Sequence, residues 1–284
     1  MQVEHDGSDR GRARKTRAWF PAPVLQATAA LHVGGAIGIA LGRPEWRWIV
    51  YSLAANHGLL FAGAVSPRSR LLGPNLVRLP KAAEERREIA LTFDDGPDPE
   101  VTPRVLDSLD REGATGTFFC IGAHVARHPQ LAREIVARGH AVESHSYRHA
   151  LGFAGWGPRR LEREVTQAQR AIEDATGVPP AFFRSPYGTR SPMLDRVLAK
   201  AGLRYVSWMR RGYDAVDGNP ERVLRRLTRK LGPRDVVLLH DGASGRRLTP
   251  RPTVLEVLPR LLRHLNEQGL RSVSLRAAFG AGGA

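Results

Sequence analysis

From residue 81 onward the apolar residues follow two alternating rhythms. The short runs "EIALTF", "TGTFFCIG", "HAVESHS", "AFFRSPYG", "LRYVSW", "DVVLLH" and "RSVSL" read as strands. Between them the spacing turns helical. "PEVTPRVLDSLDREG" reads as a helix ending on Gly113, and "PQLAREIVARG" as one ending on Gly139. Leu161, Val165, Ala168, Ile172 and Ala175 recur at helical spacing, and a last helix over Val254–Asn266 would bury Leu258, Leu261, Leu262 and Leu265. Strand–helix units in short order predict parallel strands, in a barrel or a doubly wound sheet.

The first quarter has a different pattern. From Pro21 to Gly42 the chain carries no ionised side chain, a length that crosses a bilayer as a helix. After a polar break at Arg43–Arg47 comes a second uncharged stretch, Trp48–Val65, with Trp46 and Trp48 where an aromatic belt would lie. A cleaved signal peptide would have a shorter apolar core and would leave the second stretch unexplained. His32, Asn56 and His57 are expected to pair across the hairpin. Basic residues flank both ends: Arg10, Arg12, Arg14, Lys15 and Arg17 before it, Arg68, Arg70 and Arg78 after it. That favours the cytoplasm for the large domain, with Arg43 and Arg47 in the turn pulling the other way. The expected domains are a basic tail (1–19), a membrane-anchoring helical hairpin (20–65), a linker (66–87) and a catalytic domain (88–284).

Composition narrows the partners. The single cysteine, Cys120, excludes an internal disulfide and fits a buried strand. A net charge of +15 invites a nucleic-acid reading. The arginines are scattered along helix faces, however, with no zinc finger, basic heptads or stacking motif. An acidic membrane surface is the better use for that charge, and neither a nucleic-acid nor a protein partner is expected.

The chemistry clusters where strands end: Asp94, Asp95, His145, Arg184, Asp214 and His240. In a parallel barrel those ends converge on one face. Adjacent carboxylates in "LTFDDGP" would repel each other without a cation or strong donor. In "HSYRH", His145 and His149 at four-residue spacing on a helical turn could grip one cation, and Asp95 would complete a two-His, one-carboxylate set with open positions. Zinc is the default metal, with cobalt, nickel, manganese or iron as alternatives. Such an ion activates water and polarises a carbonyl. Asp94 is then placed as base and His240 as acid.

"TFDDGP", "HSYRH", "RSPYG", the Trp208–Asp214 stretch and "LLHDG" resemble, in order and spacing, the motifs of the polysaccharide deacetylase family, the NodB-homology group or carbohydrate esterase family 4. The resemblance runs from about Glu88 to the C-terminus. It implies a distorted (β/α) barrel of about seven parallel strands, here preceded by one or two hydrophobic transmembrane helices. It also implies a divalent metal and removal of an N-acetyl group from an amino sugar. By the same resemblance Asp94 is the base, Asp95, His145 and His149 hold the metal, and Arg184 tunes Asp94. Asp214 supports the acid His240, the Tyr187 N–H faces the oxyanion, and Pro186, Trp208 and Leu238 line the substrate pocket, Leu238 against the acetyl methyl.

Two departures bear on substrate. Ser144 stands where the family has Asn, and Ala215 where it has a groove-walling Trp, which speaks against a long chitin-like chain. Arg210 and Arg211 just upstream would suit a phosphate-bearing or acidic ligand. Trp156 could stack on a sugar, and structural roles are expected for His124, His128 and His140. The leading expectation is an amino-sugar N-deacetylase at the bacterial inner membrane, acting on a glycan or a lipid-linked sugar. The alternatives are a deformylase or deacylase of a lipid-linked aminosugar, a catalytically silent carbohydrate-binding homologue, and a cyclic amide or imide hydrolase.

Overall fold

The structure is a computed structural model that describes residues 17–42, 46–242 and 252–280. Arg10, Arg12, Arg14 and Lys15 of the tail and Arg43 of the turn lie outside the described residues. After two long helices, α1 (Pro23–Ala40) and α2 (Trp46–Val65), and a short α3 (Ala82–Glu85), strands and helices alternate. The order is β1 (Glu88–Asp94), α4 (Thr102–Arg111), β2 (Gly116–Cys120), α5 (Gly122–Arg127), α6 (Pro129–Ala137), β3 (Ala141–Ser144), α7 (Pro158–Thr176), β4 (Phe182–Phe183) and α8 (Leu194–Lys200). Then come β5 (Arg204–Tyr205), β6 (Arg210–Arg211), α9 (Pro220–Thr228), β7 (Val236–His240), α10 (Val254–Glu267), β8 (Arg271–Ser272) and α11 (Leu275–Phe279).

The strands pair in parallel in the order β5-β4-β3-β2-β1-β7-β6, and β8 pairs with Glu88 and Ile89 at the start of β1. The result is a curled half-barrel of seven parallel strands. The expected parallel barrel is therefore borne out, and each of the seven strand-like runs contains a strand. β6 is the addition: it is two arginines paired on one side only, to Val237 and Leu238 of β7, and carries no apolar signal.

The helices form where capping and burial agree. α7 starts with Pro158 at N1, ends on Gly177 at φ 71, and buries Leu161, Val165, Ala168 and Ile172 completely. α10 buries Leu258, Leu261, Leu262 and Leu265 against β1, β7 and α4. Cys120 is buried and free, as its neighbours implied.

Residues 66–80 are a packed part of the fold. The Leu76 N–H donates to the Tyr205 carbonyl (3.1 Å), and its carbonyl accepts from Ser207 N–H (2.9 Å). The Leu79 N–H donates to the Arg234 carbonyl (2.8 Å), so this segment ties the β5 edge to the residues entering β7. Leu72 and Leu79 are 1% exposed.

The helices α1 and α2 are long and apolar enough to cross a membrane, and they expose their apolar side chains, with Ile39 64% and Phe61 69% accessible. They pack on each other through small residues: a Cβ at Gly35 would lie 2.8 Å from Ile49. Asn56 donates to Thr28 Oγ1 (2.8 Å), and the His32 and His57 rings meet edge-on at 5.2 Å, so the expected polar pairing across the hairpin is present. Both hairpin ends land on one side of the barrel. Arg17 pairs with Asp195 (2.7 Å) in the first turn of α8, and the Arg190 N–H donates to the Ala64 carbonyl (2.8 Å).

Because Leu79 sits in the segment that ties the edges, Leu79→Ala should cost about 2–5 kcal/mol of stability. Denaturant unfolding of the detergent-solubilised protein measures it; an unchanged midpoint would show that this segment does not hold the sheet closed.

Candidate active site

β1 delivers two adjacent carboxylates, and the backbone separates them. Asp94 is the last residue of the strand, whereas Asp95 takes φ 75, a left-handed conformation that Asp tolerates. Asp94 Oδ1 accepts from Arg184 Nη1 at 2.6 Å. Arg184 is fully buried, also donates to Thr92 Oγ1 (2.9 Å) and the Ser207 carbonyl (3.1 Å), and lies over the Phe119 ring. Thr92 is a support that the sequence pattern does not flag.

Asp95 faces two imidazoles. Its Oδ1 is 3.4 Å from His145 Nε2 and 3.2 Å from His149 Nε2. The His145 Nδ1 proton goes to the Arg184 carbonyl (2.8 Å), which can only accept, so in the neutral ring Nε2 carries the lone pair, on the side of Asp95. Burial and the neighbouring His145 push His149 down to about 4, leaving it neutral near pH 7. Burial lowers His145, but Asp94 and Asp95 outweigh it and raise it. The two carboxylates call for positive charge between them.

Asp95, His145 and His149 form a group able to hold a metal ion, with ligand atoms within 4.8 Å of one another. Separations of 3.2 and 3.4 Å suit atoms that each bind one ion at about 2.1 Å, so the residues fit a divalent cation.

The expected helical turn carrying the histidines is not there. Residues 145–149 form an irregular turn with Ser146 at φ 62 and His149 at φ 53. The buried Glu164 carboxylate of α7 accepts from the Tyr147 and Arg148 N–H groups (3.1 and 3.0 Å), and Ser146 Oγ accepts from His149 N–H. Those bonds replace helical ones and still bring both Nε2 atoms to Asp95. Nothing local marks Glu164, which reads as one more charged residue on a helix.

His240 ends β7 in register with Asp94. Its Nδ1 donates to Asp214 Oδ1 (3.0 Å), and its backbone N–H to Asp214 Oδ2 (2.8 Å). Burial alone would lower the imidazole, but Asp214 outweighs it and pushes His240 up to about 9. The six chemical residues thus come from the ends of five strands, since Asp94 and Asp95 share β1.

The rim is built by the loop after β4. Tyr187, at φ 58, sets its ring 4.5 Å from that of His149. Pro186 is buried beside it, and Gly188 packs against Trp208 and Pro67 at the hairpin's end. Trp208 and Leu238 are buried, Leu238 in register with Thr92. Trp156 packs on Phe153 under the Arg160 guanidinium, which accounts for it structurally. His124 Nδ1 donates to the Asp95 carbonyl (3.0 Å), a brace for the metal-capable carboxylate. His140 accepts from the Gly116 N–H.

A parallel half-barrel that brings a carboxylate and a carboxylate-paired imidazole in register beside a metal-capable triad is suited to the hydrolysis of acyl compounds. The family model described as polysaccharide deacetylase matches residues 81–206. The chain is 35% identical over 199 residues to a chitooligosaccharide deacetylase of Sinorhizobium fredii, covering 67% of this chain and 91% of the relative. It is 33% identical over 189 residues to a peptidoglycan-N-acetylglucosamine deacetylase of Bacillus cereus, covering 66% and 85%. A solved family 4 carbohydrate esterase from Streptomyces lividans, in complex with acetate, superposes with a TM-score of 0.60 at 32% identity, covering 67% of this chain and 95% of that one. The chain belongs to the polysaccharide deacetylase family. Asp214 and His240 lie beyond the residues that the family model matches, so their assignment rests on their own geometry.

The His240 shift is testable. A pKa raised above the unfolded value near 6.5 contributes stability that is fully present below pH 6.5 and lost as pH rises through about 9. In chelator-treated protein, NMR should show the His240 ring titrating near 9, and Asp214→Asn should move it down. An unmoved titration would remove Asp214 as the cause.

Proposed function

We propose that this protein is a membrane-anchored, metal-dependent amidohydrolase that removes the N-acetyl or another short N-acyl group from an amino sugar. The observation that carries this is the register of Asp94 with His240, a base and an acid on neighbouring strands beside the Asp95–His145–His149 group. Zinc suits the donor set, with cobalt, nickel, manganese or iron as substitutes, and when bound it polarises the acyl carbonyl and acidifies water.

The chain's own groups supply the rest. Asp94 takes the proton of the attacking water, and the Arg184 hydrogen bond holds that carboxylate in place. The Tyr187 N–H faces the carbonyl oxygen as it gains charge. His240 enters protonated and gives its proton to the departing amine, with its orientation and tautomer fixed by Asp214. Pro186, Trp208 and Leu238 wall the acyl end. Water and amide become carboxylate and free amino sugar.

The substrates named for the two relatives, chito-oligosaccharide and peptidoglycan N-acetylglucosamine, support an amino-sugar substrate. A lipid-linked amino sugar is the variant favoured by the site's setting. Gly188, beside Tyr187, rests on Pro67 where the apolar hairpin ends, and Ala215 leaves out the groove-walling Trp. The domain boundaries fit this reading, with residues 20–65 as anchor in a bacterial inner membrane and 88–284 as catalytic domain. Flanking charge favours the cytoplasmic side.

Asp94→Asn should lower acetate release from chito-oligosaccharides and from a membrane lipid extract by at least about 10²-fold with metal content unchanged. Chelator should abolish release, and His145→Ala/His149→Ala protein should lose its metal. Chelator-insensitive turnover or full Asp94→Asn activity would overturn the mechanism. For topology, a reporter fused after residue 80 should be active in the cytoplasm and the protein should stay in carbonate-washed membranes. Activity in the periplasm would reverse the orientation.

A further inference from the structure

The twin arginines of β6 have different fates. Arg210 is spent on the fold: its Nε donates to Asp235 (2.7 Å), and its other nitrogens reach the carbonyls of Arg229 and Lys230. The Arg211 side chain has no hydrogen bond or ion pair to a described residue, and its Nε is buried without an acceptor. Its guanidinium is held instead between two aromatic faces, 4.6 Å from the Tyr213 ring centroid and 5.3 Å from that of Trp208. Arg226 also lies over Tyr213, at 5.6 Å, but it has a counter-ion in Asp217 (2.6 Å). A cation held by stacking while its planar fork meets no anion among the described residues is arranged to receive one.

Its position connects that fork to the reaction. Arg211 is in register with Leu238, and Leu238 with Thr92, which bonds Arg184, so these side chains share one face of the sheet. Trp208 is the common wall: Arg184 lies 5.8 Å from its ring centroid and Arg211 5.3 Å from it. The same indole supports Gly188, and the next residue, Met209, receives Arg68 Nη1 at its sulfur (3.8 Å). Through Trp208, Arg211 therefore shares a wall with Arg184, the partner of Asp94, and with Gly188 of the rim loop.

We propose that Arg211 is a specificity-determining residue that binds a phosphate group on the amino sugar being deacylated. The proposal rests on the amidohydrolase reading for the reaction, but not for the binding. Its shared chemistry is a phosphorylated amino sugar, whether phosphate joins the sugar to a lipid or ends a soluble sugar phosphate. The guanidinium grips the phosphate with paired N–H donors, while the acyl group reaches toward Leu238.

The full-length, zinc-loaded protein in detergent micelles provides the test. Three substrates are compared: methyl N-acetylglucosaminide, N-acetylglucosamine 1-phosphate and a polyprenyl-phosphoryl N-acetylglucosamine. Phosphorylated substrates should be preferred in kcat/KM, and Arg211→Gln should cut that preference by roughly 10- to 100-fold, chiefly through KM. Arg211→Lys should restore only part of it. Preference for the lipid-borne substrate assigns the phosphate to a carrier lipid, and equal use of both assigns it to the sugar phosphate. In a second arm, calorimetry follows N-acetylglucosamine 1-phosphate binding to Asp94→Asn protein with and without Arg211→Gln. If no substrate is hydrolysed while binding still depends on Arg211, the hydrolase reading falls and the anion site stands. A preference or affinity unchanged by Arg211→Gln overturns the proposal.

Discussion

Three buried carboxylates crowd the end of β1, and the rest of the site is organised around making that tolerable. Isolated buried charges are costly, and each of these acids meets the cost differently. Asp94 has a buried guanidinium. Asp95 has two imidazoles and the geometry for a cation; burial would raise it, but His145, His240 and His149 outweigh that and hold it well below the usual carboxylate range. Asp241 has no cation partner among the described residues. Burial pushes it up to about 7, and Thr102 donates to its Oδ2 at 2.6 Å. Its carboxylate lies directly against Gly96, where any side chain would collide with it. The Gly after the paired acids thus leaves room for the third acid, and Gly242 likewise lets the chain pass against the Asp95 backbone.

That arrangement explains why so much of the site is legible in the sequence. Groups able to neutralise buried acids are few, so Arg184, His145, His149 and the Asp214–His240 pair stand out from a charged background. Seven of the strands are equally plain, because apolar runs between capped helices have few alternative uses. The features that the pattern hides are held by contacts with no local signature. The Glu164 carboxylate that shapes the histidine turn reads as one more charge on an amphipathic helix. β6 is too short and too polar to show a period. Asp241 resembles a turn residue, although its partners lie more than a hundred positions away in α4 and beside β1.

β6 also shows why pattern alone misassigns charge. Arg210 and Arg211 are identical neighbours in the sequence, yet alternate strand residues face opposite ways. One therefore meets Asp235 and two carbonyls at the edge of the sheet, while the other meets the indole of Trp208 on the face shared with Leu238. A net charge of +15 gives many arginines a place on solvated surfaces, and the few that are ordered without a counter-ion are the informative ones.

The apolar hairpin is packed into the barrel rather than tethered to it. From Ala64 the chain bonds Arg190, touches Gly188 through Pro67, reaches Met209 through Arg68, and runs on through Leu76 and Leu79 across the edges of the sheet. Anchor, rim loop and closing segment are one continuous packed path. The loop that carries Tyr187 is therefore fastened at its far end to the last turn of α2 and the residues after it, by a backbone hydrogen bond and close packing. In the proposed membrane-anchored reading this matters: a hairpin on a free tether would only bring the site near the bilayer, whereas one packed into the rim fixes how the site faces it.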